Sequence, residues 1–155
     1  MGLKIINETD VTVETLADHL EASGWSADLS EKGSLTLLTE NGLAFKVRID
    51  RKRKFVVLMT SLPIRCDFLD TLDYCNDLNL HVFLGSYSID SERDLDVSYP
   101  MSYERGLIAP QFMRIVIRFA SIIEYIVSKD QDKNIFDFNK DSTDITTSPA
   151  PALLQ

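Results

Sequence analysis

Apolar residues along the chain follow helical spacing in three segments. From about Asp10 to Ser23 they recur at i, i+3, i+4 and i+7 and stop at Gly24, which predicts a helix capped by Asp10 or Thr12. A second helix is predicted from Asp67, as cap, to about Leu78. The third is predicted from Pro110 to about Ser128, because proline is favoured in the first turn of a helix.

Between these helices the apolar positions follow strand spacing. Leu35–Thr39 and Ala44–Ile49 flank an Asn-Gly pair, the strongest short signal for a hairpin. Phe55–Met59 is apolar at every position, which predicts a central strand covered on both faces. Two further strands are predicted at Val82–Ile89 and Leu95–Tyr99. The predicted fold is α+β, in the order α-β-β-β-α-β-β-α, with an antiparallel sheet packed against helices.

The second and third helices differ in how clearly their buried faces can be assigned. In the second, Phe68, Leu72 and Cys75 align on one face with Leu69 beside them, so these residues are expected to face the core. In the third, the apolar arc is wider than a single sheet usually covers. Either this helix is tucked between the sheet and the first helix, or the extra arc binds a partner. The candidate partner-binding residues are Met113, Ile117, Ala120 and Val127.

The domain is expected to span residues 1–128 and to be followed by a flexible acidic tail, residues 129–155. The tail lacks helical periodicity and is rich in polar and acidic residues. Its one bulky apolar cluster, Ile135, Phe136 and Phe138, is expected to dock either on the domain or on a partner.

Length and charge restrict the class of protein. The 155 residues suffice for one domain, since domains most often have roughly 100–150 residues. A net charge of −8 opposes general binding to nucleic acid. No apolar run approaches the ~20 residues that span a bilayer. The first ten residues are too quickly acidic for a signal peptide, so the protein is expected in the cytoplasm. The two cysteines, Cys66 and Cys75, are expected to stay reduced there.

No set of residues has the spacing of a catalytic or metal site. His19 and His81 belong to no HxH, HExxH or CxxC-type arrangement. The alternating carboxylates lack the glycine and terminal glutamate of a calcium loop and are expected on a solvated hairpin edge; they are Asp90, Glu92, Asp94 and Asp96. We therefore expect no enzymatic activity, no metal and no cofactor.

One basic run interrupts this acidic chain, and it has two interpretations. Arg51, Lys52, Arg53 and Lys54 could form a positive knob that binds phosphate or another anion. The alternative is a solvated hairpin tip, which is favoured because no aromatic residue is interleaved with the basic ones, as single-stranded nucleic-acid grooves require.

The chain resembles the bacterial YbjN family, whose fold is similar to that of type III secretion chaperones. The resemblance rests on an asparagine-bearing helix end, Cys75–Asn79, a strand such as Phe83–Tyr87, an acidic turn, and the strand Leu95–Tyr99. A helix entry of the type Gly-x-x-x-x-Gln-Phe follows, here Gly106, Gln111 and Phe112. The resemblance covers about residues 11–127. The basic run at residues 51–54 is not part of it.

The resemblance implies a non-enzymatic protein-binding role, described for the family as sensory-transduction regulation or chaperone-like binding. The first hypothesis is a regulator or chaperone-like adaptor that binds a protein partner or forms a homodimer. A dedicated type III secretion chaperone for one effector is the second. A nucleic-acid or phosphate binder acting through residues 51–54 is the third.

Overall fold

The computed structural model describes residues 4–140, in which three α-helices lie against an antiparallel sheet. The helices are α1 (Val13–Ala22), α2 (Thr71–His81) and α3 (Ala109–Lys129). The strands are β1 (Ile5–Ile6), β2 (Asp28–Leu29), β3 (Leu35–Leu38), β4 (Ala44–Asp50), β5 (Phe55–Leu62), β6 (Ser86–Ile89), β7 (Leu95–Ser102) and β8 (Leu107–Ile108). Six of the strands form one sheet in the order β2-β3-β4-β5-β7-β6, and β1 pairs with β8. The predicted α+β class is therefore confirmed, with three additional two-residue strands.

One face of the large sheet carries the hydrophobic core. Strand register places Leu37 opposite Phe45 and Val47 opposite Leu58, so buried residues line up on the same face across the sheet. Helix α3 contributes eight buried residues to this core, and its Phe119 ring lies 5.6 Å from that of Phe45. Strand β5 is central, as predicted. Its second face is only half-buried at Phe55, Val57 and Met59, so the expectation of cover on both faces is wrong.

Helix α2 begins three residues later than predicted, and its inward face is different. Asp67 does not cap it, because its carboxylate forms a two-point ion pair with Arg65 in the preceding turn. With the helix starting at Thr71, the buried residues are Thr71, Cys75 and Leu78. Leu69 and Leu72, which were expected to face the core, are exposed.

Residues 130–140 continue from α3 and pack against the rest of the protein; we call this segment the arm. Phe136 is buried and forms an antiparallel bridge with Ile64. The expected domain end at residue 128 is therefore wrong for residues 129–140, because the apolar cluster docks on the domain. The remainder of the expected tail, residues 141–155, lies outside the described residues.

Glu124 fastens α3 to the turn between β3 and β4. Its carboxylate accepts hydrogen bonds from the Thr39 hydroxyl, from the Asn41 backbone N–H at 3.0 Å and from the Asn41 side-chain amide at 2.6 Å. Partial desolvation raises the pKa of Glu124, but the bonds from Asn41 and Thr39 outweigh it and hold the pKa below 4.5. A charged residue on an otherwise apolar flank of α3 thus has a structural role.

We predict that Glu124→Gln destabilises the protein at neutral pH by about 1–2 kcal/mol, because the amide replaces one accepting oxygen with a donor. Since the folded-state pKa is lowered, the charged carboxylate stabilises the fold above pH 4.5, and this contribution is lost as the pH falls below that value. Urea unfolding between pH 3 and 7 measures the effect. Glu40→Gln, an exposed change in the same turn, is the control. Equal stability of both variants at pH 7 would contradict the assignment.

Candidate protein-binding surface

The structure brings together no metal site among residues 4–140. No group of three His, Cys, Asp or Glu side chains in that range could hold a metal ion. His81 pairs with Asp77 on the surface of α2, and burial lowers the pKa of His19. Both cysteines are free, and Cys75 is buried. Within the same residues no helix is long and apolar enough to cross a membrane.

The acidic hairpin between β6 and β7 is a structural turn. Asp90 accepts hydrogen bonds from the backbone N–H groups of Glu92 and Asp94, at 2.8 and 2.9 Å. Asp94 is buried and pairs with Lys140 of the arm, so the expectation of a fully solvated edge is wrong at this position. Asp96 is half-buried, and desolvation raises the pKa of its carboxyl.

The basic run forms the turn between β4 and β5, and acidic neighbours engage half of it. Lys54 pairs with Glu8, and the hydrogen bond between them lowers the pKa of the Glu8 carboxyl. Arg53 pairs with Asp50, which also accepts the Arg53 backbone N–H. Arg51 and Lys52 are exposed. The turn is therefore less positive than its sequence indicates, and anion binding at residues 51–54 stays a prediction.

The candidate residues on α3 differ in exposure. Ile117 is 54% exposed, whereas Met113 and Val127 are partly buried. Ala120 is only 8% exposed, so the expectation that it lies on the surface is wrong. Ile117 and Ala120 line a shallow groove of about 470 Å³ between α3, Trp25 and the turn fastened by Glu124. Partner binding by this side of α3 stays a prediction.

Exposed apolar surface is concentrated along α2. The four most exposed large apolar side chains among residues 4–140 belong to α2 and its two flanking loops. We call them the α2 stripe: Leu69 (75% exposed), Leu72 (69%), Leu80 (73%) and Phe83 (88%). Leu72 and Leu80 are eight residues apart, about two helical turns, and so share one face of the helix. Exposed apolar side chains mark a binding site where they form a contiguous patch.

On its inner side, α2 covers the open edge of the sheet. The Asn79 side chain accepts the Tyr87 backbone N–H at 3.1 Å and donates to the Tyr87 carbonyl at 2.9 Å. It also donates to the Cys75 carbonyl at 3.2 Å. Asn79 thus supplies both bonds that a neighbouring strand would make to Tyr87, which blocks strand addition at the centre of β6. This gives a physical role to an asparagine of the motif behind the family resemblance.

Solved structures share this architecture. YbjN from E. coli, described as a proposed transcription regulator, has a TM-score of 0.66 and 16% sequence identity, over 81% of this chain and 94% of YbjN. A chain of the HopA1–SchA chaperone–effector complex has a TM-score of 0.53 and 16% identity, over 73% and 88%. A chain of the ExsC–ExsE complex has a TM-score of 0.51 and 17% identity, over 70% and 86%.

No protein-family model matches the sequence, and neither does any curated protein. At 16–17% identity the likeness defines the fold, which is that of YbjN and of type III secretion chaperones. The predicted YbjN-like fold is confirmed. Proteins with this fold include a chaperone in complex with its effector, so the fold is compatible with protein binding.

We predict that Asn79→Ala destabilises the protein by about 1–3 kcal/mol, because Tyr87 loses both partners at a partly buried edge. Asn134→Ala, at an exposed asparagine outside α2, is the matched control and is expected to change stability by less than about 0.5 kcal/mol. Thermal unfolding measures both, and hydrogen exchange should accelerate at the Tyr87 amide. Unchanged exchange at Tyr87 would show that Asn79 does not cover this edge.

Proposed function

We propose that the chain is a non-enzymatic protein-binding module, a regulator or chaperone-like adaptor, which acts in the cytoplasm and associates with a second copy through the α2 stripe. The observation that carries this proposal is the concentration of the four most exposed large apolar side chains among residues 4–140 on α2 and its two flanking loops. Leaving them in water is unfavourable by about 25 cal/mol for each Å² of apolar area, and an interface removes that area from water.

The arrangement of the stripe supports a second copy as the occupant. Leu72, Asn76 and Leu80 follow i, i+4, i+8 spacing and form a ridge of the kind that packs into the grooves of another helix. A two-fold axis through Asn76 would place each leucine against the same ridge of the other copy. The asparagine in the middle would then fix the register, as polar residues do in coiled coils.

Charge around the stripe gives the association a predictable salt dependence. Asp73 and Asp77 are exposed beside the ridge, and each copy carries a net charge of −8. Two copies therefore repel each other at low ionic strength, and salt screens that repulsion. A basic partner protein on the same stripe would show the opposite dependence.

The likeness to a chain of the HopA1–SchA chaperone–effector complex favours a second candidate, a dedicated secretion chaperone for one effector. A gene for a secreted client beside the gene for this chain would support it. Binding of nucleic acid by residues 51–54 has less support, since Glu8 and Asp50 engage two of the four basic residues.

We predict that Leu80→Asp combined with Phe83→Asp abolishes self-association without unfolding the protein, because both side chains are largely exposed. Sedimentation velocity at increasing protein concentration measures the association, and circular dichroism checks the fold. In the unsubstituted protein, association should strengthen between about 50 and 500 mM NaCl, a range over which the Debye length falls about threefold.

Ile117→Asp is the matched control, since it places an aspartate at an exposed isoleucine on α3. It is expected to leave self-association unchanged. If Ile117→Asp disrupts association and the α2 double variant does not, the interface lies on α3 and the proposal is wrong. A monomer at all concentrations would remove the second copy as occupant.

A further inference from the structure

The arm is attached to the domain as an added strand. The Arg65 backbone N–H donates to the Ile135 carbonyl at 2.7 Å, and the Asp137 N–H donates to the Pro63 carbonyl at 2.9 Å. These two bonds flank the bridge between Ile64 and Phe136. Addition of an extended segment in this way is a common mode of peptide recognition. Here the chain fills the position with its own residues.

Side-chain contacts fix the arm at two points beyond the backbone bonds. Phe136 is buried, with its ring 6.2 Å from Tyr74 in an edge-to-face arrangement, and Phe68 packs on the other end of this aromatic cluster at 5.8 Å from Tyr74. Four residues after Phe136, the Lys140 ammonium lies 2.9 Å from the carboxylate of buried Asp94 and 3.3 Å from the Ile64 carbonyl. The domain thus contacts the backbone, an aromatic ring and a positive charge of the arm within residues 135–140.

The groove beneath the arm has features of a selective peptide site, and we define it by Ile64, Phe68, Tyr74 and Asp94. Its edge is the backbone of residues 63–65, where the Arg65 N–H donates to the arm and the Pro63 carbonyl accepts from it. Asp94 accepts the Ile64 N–H at 3.1 Å, but its negative charge is balanced by Lys140. If the arm left, a buried carboxylate would lose its cationic partner, which is strongly unfavourable. The empty groove would therefore favour a basic replacement.

The start of the arm is held separately from this groove. The Asp130 carboxylate accepts backbone N–H bonds from Asn134, Ile135 and Phe136, at 2.9 to 3.2 Å. The turn after α3 is therefore ordered by its own bonds, while Phe138, next to the groove, remains 47% exposed. The contacts of the arm with the groove include one aromatic ring, two backbone bonds, the ion pair with Asp94 and the bond from Lys140 to the Ile64 carbonyl, and a segment of the same pattern can replace each of these.

We propose that the arm is an internal occupant of a peptide-binding groove, and that a partner protein enters by displacing it with an extended segment carrying an aromatic residue and, four positions later, a lysine or arginine. This inference rests on the proposed protein-binding function and gives it a site separate from the α2 stripe. The acidic character of the chain favours a basic segment, and the pairing of Asp94 with Lys140 specifies where the charge must lie.

The test uses a fluorescent peptide with the sequence of residues 133–140, KNIFDFNK, and the full-length protein. In the unsubstituted protein the attached arm competes at high effective concentration, so the peptide binds weakly. Phe136→Ala combined with Lys140→Ala in the protein weakens the attached arm. Fluorescence anisotropy should then show peptide affinity increased by about tenfold or more. A peptide with alanine at both positions is the control and should not bind.

Two further variants separate recognition from damage to the fold. Lys140→Ala alone leaves Phe136 and the apolar contacts of the arm in place, circular dichroism checks that the variant is folded, and it should still increase peptide affinity. Adding Asp94→Asn to the double variant should abolish the increase in peptide affinity. It should also abolish the weakening of peptide binding by salt, because the carboxylate that pairs with the lysine is gone. Equal peptide affinity in the unsubstituted and Lys140→Ala proteins, with both folded by circular dichroism, would overturn the inference. Self-association through the α2 stripe, measured on the same samples, would be unaffected by that result.

Discussion

Burial of α3 against one face of the sheet is the interaction on which the rest of the structure depends. Phe112, Phe119 and Ile123 are completely buried there, and each such side chain contributes about 1.5–3 kcal/mol relative to exposure. Glu124 then fixes where the helix lies along the sheet, because its carboxylate binds the turn between β3 and β4. With this face occupied, α2 is left beside β6 at the end of the sheet.

The position of α2 explains why its outer side is available for binding. Its inner side supplies Cys75 and Leu78 to the core and Asn79 to the edge of β6. These residues complete the sheet, so the outward leucines add nothing to the stability of the single chain. The arm similarly pairs with the segment that follows β5, through the antiparallel bridge between Phe136 and Ile64. Both features cover backbone of the sheet region, and both are places where we propose that a second protein binds.

Sequence patterns predicted α3 and the central strands well because their apolar residues face one side and polar residues the other. On α2 the predicted face was correct for buried Cys75 and wrong for exposed Leu69 and Leu72. The helix starts later than predicted, and the buried residues Thr71 and Leu78 are less distinctive in sequence than the leucines that stay exposed. The strand predicted at Val82–Ile89 is shorter in the structure. The positive φ angles of Leu84 (71°) and Gly85 (113°) interrupt the extended backbone, so β6 starts only at Ser86. The contact of Lys140 with Asp94 joins residues 46 positions apart, which no local pattern reveals.

A YbjN-like fold with an apolar stripe outside its core leads to the central claim that two copies meet on α2. Hydroxyl-radical footprinting of the full-length protein at low and high concentration tests it most directly, because it reports the exposure of individual side chains. The account predicts that labelling of Phe83 and Leu72 falls as concentration rises, while labelling of Ile117 stays constant. Constant labelling of Phe83 in a sample that sedimentation shows to be dimeric would contradict it.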